Sequence, residues 1–232
     1  MISKQKGISL FNDLKLDKVS MKAYFKRIGY VGKAELNLET IKRLHALHPE
    51  AIPFENIDPL IGVPVGLSLE HVFQKLVDRG RGGFCFEQNV LFGAVLRTLG
   101  FNVVGLSARV FWEIKEGEIR PRDHMLLLLD LDGISYLLDV GFGSASFSAP
   151  LVLDQEGIQD TGHNQYRISL VSGFYYLEIL IKGTWRLMHR FGLEHQMLAD
   201  YEVVSWYLCT HPQSLFIKDL MVAKSFSDGR YA

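Results

Sequence analysis

Arg122-Asp123-His124-Met125-Leu126-Leu127-Leu128-Leu129-Asp130-Leu131-Asp132-Gly133-Ile134-Ser135-Tyr136-Leu137-Leu138-Asp139-Val140 holds two apolar runs separated by polar, glycine-containing residues. Short apolar runs bounded by Asp and Gly read as buried strands, here Met125 to Asp130 and Ser135 to Val140. Asp130-Leu131-Asp132-Gly133 carries a hairpin-turn signal, so the two strands are expected as antiparallel neighbours. His124 opens the first run and Asp139 closes the second, which sets them side by side. Outward from this hairpin, Val103 to Trp112, Gln165 to Val171, Phe174 to Ile181 and Trp185 to Phe191 also read as strands. They are separated by turn signals such as Val171-Ser172-Gly173 and Lys182-Gly183-Thr184. Strands at such close spacing predict an antiparallel sheet or barrel.

Upstream, the periodicity is helical. Leu38, Ile41 and Leu44 mark one amphipathic helix, and Leu69, Val72, Phe73, Leu76 and Val77 mark another at i, i+3, i+4, i+7, i+8. Phe86, Val90, Leu91, Ala94, Val95 and Leu99 mark a third, with Gly100 as its stop. A last helix is expected from near Asp200 to Cys209, ending before Pro212. The fold class is therefore α+β, in three parts: a helical bundle over 1–100, an antiparallel β-barrel over 101–195, and over 196–232 a linking helix with the start of a third domain. In that last part Leu215 to Ala223 reads as a strand and Ser227-Asp228-Gly229 as a hairpin turn, with no return strand after it. A strand left so would be an unprotected edge and a route to self-association.

The third helix begins within Arg81-Gly82-Gly83-Phe84-Cys85-Phe86-Glu87-Gln88-Asn89, where a glycine-loosened turn delivers a cysteine to a helix start. A helix N-terminus beside an arginine favours the thiolate, the reactive form of cysteine. Cys85, His124 and Asp139 then form a nucleophile, base and orienting acid. Each has a plainer reading. Buried cysteines are commonly inert, a histidine often sits satisfied at a strand end, and Asp139 suits a turn ahead of Gly141. Asp123 is nearer to His124 in sequence, but strand alternation points it away from the face that holds His124. An arginine buried beside a nucleophile needs a carboxylate, so Arg81 is expected to pair with Glu55 or Glu87 and to hold the loop rather than perform chemistry.

A chain of 232 residues with 48% hydrophobic content can bury a sizeable core, and a net charge of -1 gives no electrostatic case for nucleic acid or an anionic membrane. Met1 to Leu16 has no signal-peptide core and no bilayer-spanning stretch. With Cys85 and Cys209 as the two cysteines, no structural disulfide is expected and a reducing cytoplasm is the natural setting. No Gly-x-x-x-x-Gly-Lys-Ser/Thr run supports a nucleotide site. His45 and His48 share a helical face, but no acid or cysteine cluster accompanies them, so no metal is expected.

The chain resembles the arylamine N-acetyltransferase family. Its Arg-Gly-Gly-x-Cys-x-Glu-x-Asn signature matches Arg81 to Asn89, and its His-Met-x-Leu and Asp-Val-Gly-Phe-Gly motifs match His124 and Asp139 onward. Tyr24 to Tyr30, Ile52 to Asp58, Asp200 to Val203, Trp206-Tyr207 and Thr210-His211-Pro212 extend the likeness over nearly the whole chain. The resemblance implies a papain- or transglutaminase-like Cys-His-Asp site working by ping-pong acyl transfer. Cys85 would take an acetyl group from acetyl-coenzyme A, the donor substrate, with no permanently bound cofactor. An arylamine, arylhydrazine or N-hydroxyarylamine would then accept it, a reaction of xenobiotic metabolism. The resemblance also assigns Phe54, Gly141, Phe142, Gly143, Thr210 and His211 to substrate or cofactor binding, and a third domain longer than the one this chain provides. Two other readings stay open at this level: a Cys-His-Asp amide hydrolase or amide synthase on the same scaffold, and an inactive shortened member that binds coenzyme A or amine.

Overall fold

The structure, a computed structural model, describes residues 13–114, 117–226 and 229–232; residues 1–12 of the N-terminal stretch, and Ser227 and Asp228 of the expected turn, lie outside it. Helix α1 (Lys18–Ile28) is followed by α2 (Leu38–Ala51), whose Asn37 cap accepts from the Thr40 backbone N–H at 2.9 Å. A two-residue strand, β1 (Phe54–Glu55), and a short helix, α3 (Ile57–Leu60), lead to α4 (Leu69–Phe73). The apolar stripe from Leu69 to Val77 does not continue as one α-helix. After Phe73 the chain widens into a π-turn, Gln74–Asp78, which buries Lys75 together with Leu76 and Val77. Helix α5 (Cys85–Thr98) then runs through the centre of the molecule, buried from Cys85 to Arg97, as suits a helix apolar on nearly every side.

The strands come next along the chain: β2 (Asn102–Val110), β3 (His124–Leu131), β4 (Ile134–Leu138), β5 (Leu151–Val152), β6 (Gln159–Asp160), β7 (Gln165–Val171), β8 (Phe174–Ile181) and β9 (Thr184–Phe191). They form one antiparallel sheet in the order β5-β4-β3-β2-β9-β8-β7-β6. The expected hairpin is present as β3–β4, with Leu127 opposite Leu138 and Leu131 opposite Ile134. The two ends of the sheet are tied by one side chain: Gln159 Oε1 accepts from the Val152 N–H at 2.7 Å, and its amide donates to the Val152 carbonyl at 2.8 Å. The sheet is thereby curled into a nearly closed barrel. Leu106, Leu126, Leu137 and Leu177 fill its interior, while Met125, Leu127 and Leu129 of β3 pack outward into the helical core. Strand β3 is covered on both faces, which is why it reads as an unbroken apolar run rather than an alternation.

Helix α6 (Leu198–Thr210) falls near its expected place, but the segment after it departs from the sequence reading. Leu215–Ile217 is a 3-10 turn, not the start of a strand; the strand is β10 (Val222–Phe226), and β11 (Gly229–Tyr231) returns along it. Strand β10 is the middle of a three-stranded sheet, paired with β1 on one side and β11 on the other. The return strand expected to be missing is therefore present: β1 pairs with Val222 and Ala223, β11 pairs with Lys224 to Phe226, and β11, three residues long, lies at the edge of this sheet. Edges this short are a usual protection against strand addition. No helix among the described residues is long and apolar enough to cross a membrane.

Candidate active site

The segment before α5 is held rather than loose. The Glu55 N–H donates to the Gly83 carbonyl at 3.1 Å and the Gly83 N–H to the Pro53 carbonyl at 3.2 Å, so the segment lies alongside β1 in strand fashion. A Cβ on Gly82 would strike the Pro53 carbonyl oxygen and lie 2.7 Å from Glu55 Cγ; glycine is demanded here by close approach, not by a turn. Arg81 donates to Glu55 Oε1 at 2.8 Å and to Asp58 Oδ1 at 2.6 Å. Of the two partners expected for Arg81, Glu55 is the one it meets. Glu87 instead faces Lys75, whose Nζ is 2.8 Å from Glu87 Oε1 and 2.8 Å from Asp58 Oδ2. Glu87 Oε2 also accepts from the Phe84 N–H at 3.1 Å, closing the first turn of α5. Burial lifts the Glu87 carboxyl to about 7 against the pull of Lys75. Burial likewise works to lower Lys75, but Glu87 and Asp58 outweigh it and hold the ammonium above its ordinary value.

This framework sets Cys85 at the first residue of α5, buried, with its sulfur 3.9 Å from the Asp123 carbonyl oxygen. The β3–β4 register carries Asp139 one step past Leu138, onto the sheet face shared by His124 and Leu126. His124 Nε2 and Asp139 Oδ2 are 2.7 Å apart, and Cys85 and His124 open onto the same cleft. Burial alone would lower the His124 imidazole, but the charge and hydrogen bond of Asp139, joined by the neighbouring Cys85, raise it to about 10. Asp139 is held below its ordinary value: burial opposes this, and His124 and Asn89 among its neighbours overcome it. Asp139 Oδ1 accepts from the Gly141 N–H at 2.8 Å and from Asn89 Nδ2 at 3.0 Å, while its own N–H donates to His45 Nε2 at 3.1 Å. Burial lowers His45 to about 4, so it serves there as a neutral acceptor.

In the sequence Asn89 stands out only as the end of a motif, yet it ties the site together by also donating to the Met125 carbonyl at 2.9 Å and accepting from the Val140 N–H at 3.2 Å. Its place four residues after Cys85, on the same face of α5, is the signal that points to it. His45 and His48 are both fully buried; His48 is 2.8 Å from the Tyr24 hydroxyl and 2.7 Å from Gln88 Oε1, an internal polar chain. Asp123 makes no bond to His124, and its carboxylate lies beside the cleft.

A cleft of about 380 Å³ opens over Cys85 and His124, walled by Phe54, Trp112, Gly141, Phe142, Gly143 and Phe216. Thus Phe54 and the three residues after Val140 come together at the sulfur. Thr210 and His211 do not line this cleft: at the end of α6, Thr210 donates to the Trp206 carbonyl at 2.6 Å, and the His211 ring stacks on Tyr207 at 4.4 Å. A thiol, an imidazole held by a carboxylate, and a largely apolar cleft are the parts needed for acyl transfer through a thioester.

Comparison with known proteins agrees with that chemistry. A family model described as N-acetyltransferase matches residues 37–232. The arylamine N-acetyltransferase of Mycolicibacterium smegmatis is 41% identical, over 90% of this chain and 77% of its own length. The solved arylamine N-acetyltransferase of M. tuberculosis superposes with a TM-score of 0.88 at 39% identity, covering 90% of this chain and 80% of that one. That of Mycobacterium marinum, solved in complex with CoA, gives 0.87 at 37% identity, over 90% of this chain and 79% of that one.

Proposed function

The chain belongs to the arylamine N-acetyltransferase family, and we propose that it moves an acetyl group from acetyl-coenzyme A to an arylamine through Cys85, His124 and Asp139. The observation that carries the residue assignment is that His124, bound to Asp139 at 2.7 Å, opens onto the same cleft as Cys85. His124 takes the thiol proton, and the Cys85 sulfur attacks the acetyl carbonyl. The Cys85 N–H, at the positive end of α5, faces the charge that develops on the carbonyl oxygen. The bond to the coenzyme A sulfur breaks, His124 returns its proton to that leaving thiolate, and acetyl-Cys85 remains. The amine nitrogen then attacks, gives its proton to His124, and the proton returns to Cys85 as the amide departs.

On this reading residues 1–100 supply the nucleophile, 101–195 the base and acid, and 196–232 a wall of the cleft. Phe54, Phe142 and Phe216 offer ring faces to an aryl acceptor, and arylhydrazines and N-hydroxyarylamines present the same ring with a comparable nucleophile. Two free cysteines fit a reducing cytoplasm. The test is the intact mass of the chain after exposure to acetyl-coenzyme A with no amine present. One acetyl group, mapped to Cys85, is expected; an adduct on Cys209 alone, or none on the folded chain, contradicts the assignment.

Gly141 provides a second check. A Cβ there would lie 2.8 Å from Cys85 Cα and 3.0 Å from the Cys85 carbonyl oxygen, both backbone atoms that α5 holds in place. Gly141→Ala is expected to slow acetylation of Cys85 by about 10- to 100-fold, since displacements of about 1 Å at a reacting group cost that much. Single-turnover rates on a variant with native circular dichroism measure it. An unchanged rate would mean that the α5 start has room to move.

A further inference from the structure

One buried histidine beside the triad has no part in the proton transfers. His189 of β9 is fully buried, and neither of its ring nitrogens has a hydrogen-bond partner among the described residues. Burying a polar group unpaired is unfavourable, so the ring needs a compensating contact. That contact is His124: the two rings are stacked, centroids 4.8 Å apart and planes within 13°. Phe142 closes against both, edge-on to His189 at 4.5 Å and to His124 at 5.1 Å. The placement is made by a β-bulge. Leu177 pairs with His189 but Glu178 pairs with Leu187, which leaves Met188 as the extra residue, and Met188 and His189 are both buried where simple alternation would bury one.

We propose that His189 is a positioning residue of the acyl-transfer site, whose uncharged ring face fixes the plane of His124 and supports the positive charge His124 acquires from Cys85. This rests on the reading of Cys85, His124 and Asp139 as a triad. An aromatic face is electron-rich and attracts a cation laid over it, most strongly where water is excluded. The groups that face His124 are Cys85 from α5, Asp139 after β4, Asp123 just before it in the chain, and His189 with Phe142; His45 of α2 stands behind Asp139. Burial first, and then the neighbouring His124 charge, lower His189 to about 3, with Asp139 opposing. The plate therefore stays neutral while His124 titrates. A shared metal ion is a poor alternative for His124, Asp139 and His189, whose ligand atoms lie within 4.8 Å of one another. An imidazole binds metal in its ring plane, and two stacked, nearly parallel planes give no common point between them.

The test compares substitutes that keep or lose the ring face. His189→Leu fills much the same space without a π face, His189→Asn is a second faceless variant should Leu fail to fold, and His189→Phe keeps a face. The faceless variant is expected to acetylate Cys85 about tenfold more slowly at unchanged KM for acetyl-coenzyme A. In it the His124 pKa, read by NMR titration, should fall by about 0.5–1 unit. His189→Phe is expected to keep the native rate within about twofold and the native His124 titration. Faceless and Phe variants that behave alike in both readouts would overturn the role of the ring. A wild-type chain that takes no acetyl at Cys85 overturns the triad reading itself, and is recognised before any variant is made.

Discussion

Asp139→Asn is expected to slow acetylation of Cys85 by about 10⁴-fold while leaving the fold intact, the scale seen when a triad base is held in the wrong tautomer. The reason lies in what surrounds position 139. Oδ1 accepts from two fixed donors, the Gly141 N–H and Asn89 Nδ2, so an asparagine must turn its oxygen toward them. Its NH₂ then faces His124 Nε2, which must become an acceptor, and the ring proton moves to the nitrogen on the Cys85 side. That nitrogen no longer accepts the thiol proton. A stability signature accompanies the rate. The His124 pKa is raised to about 10, so its share of the pairing is complete below its ordinary 6.5 and lost as pH rises through 10. Asp139 is lowered, so its share is present above the ordinary carboxylate value and lost as pH falls through the depressed one. The variant should lose stability relative to the native chain across the window between these limits, with the difference narrowing at either end. Asp123→Asn, which breaks no bond to His124, should affect the rate far less; equal losses at the two positions would undo the assignment of Asp139.

Much of this site is visible in the sequence because local rules place it. Cys85 sits at the head of a strongly periodic helix, and the turn at Asp130 to Gly133 brings His124 and Asp139 to one face through a two-residue side-chain period. β7 and β8 fall at their expected bounds for the same reason: alternation between well-marked turns. What the sequence conceals is decided by contacts between distant segments. Lys75 reads as a polar interruption beside an apolar stripe, yet the π-turn rotates it inward, where Asp58 and Glu87 neutralise it. His189 is turned inward by a bulge that no residue of β9 announces. Beyond α6, the apolar residues at 215–217 suggest a strand, whereas their segment is held as a turn by Phe54, Phe84 and Asn56 far upstream. Gly82 reads as a turn glycine because glycine has two uses, and only the approach of Pro53 tells them apart.

Lys75→Met should destabilise the chain by about 3–5 kcal/mol at neutral pH, the usual result of stripping one partner from a buried charge cluster, and a large share of the roughly 5–15 kcal/mol that holds a domain together. Among the described residues Lys75 is the one cation on Glu87, and it joins Glu87 to the Asp58–Arg81–Glu55 chain. Asp58 keeps Arg81 when Lys75 is lost; among the described residues Glu87, fully buried, keeps only the Phe84 N–H. Its pKa, already lifted to about 7 by burial against the pull of Lys75, must rise further. A carboxyl whose folded pKa exceeds its unfolded value binds a proton on folding, so its contribution is most favourable at low pH and falls as pH rises through the interval. The deficit of Lys75→Met is therefore expected to shrink as pH drops toward the ordinary 4.5 of glutamate. Adding Glu87→Gln removes the stranded charge yet keeps an oxygen for the Phe84 N–H, so the double variant should recover most of the stability. It should also recover acetylation of Cys85, because what Glu87 contributes to the site is the helix start beneath the sulfur. Urea unfolding at neutral and acid pH, with single-turnover acetylation of each variant, measures both effects. A single variant as stable as the native chain at neutral pH, or a double variant no better than the single one, would show that the cluster does not hold the nucleophile loop.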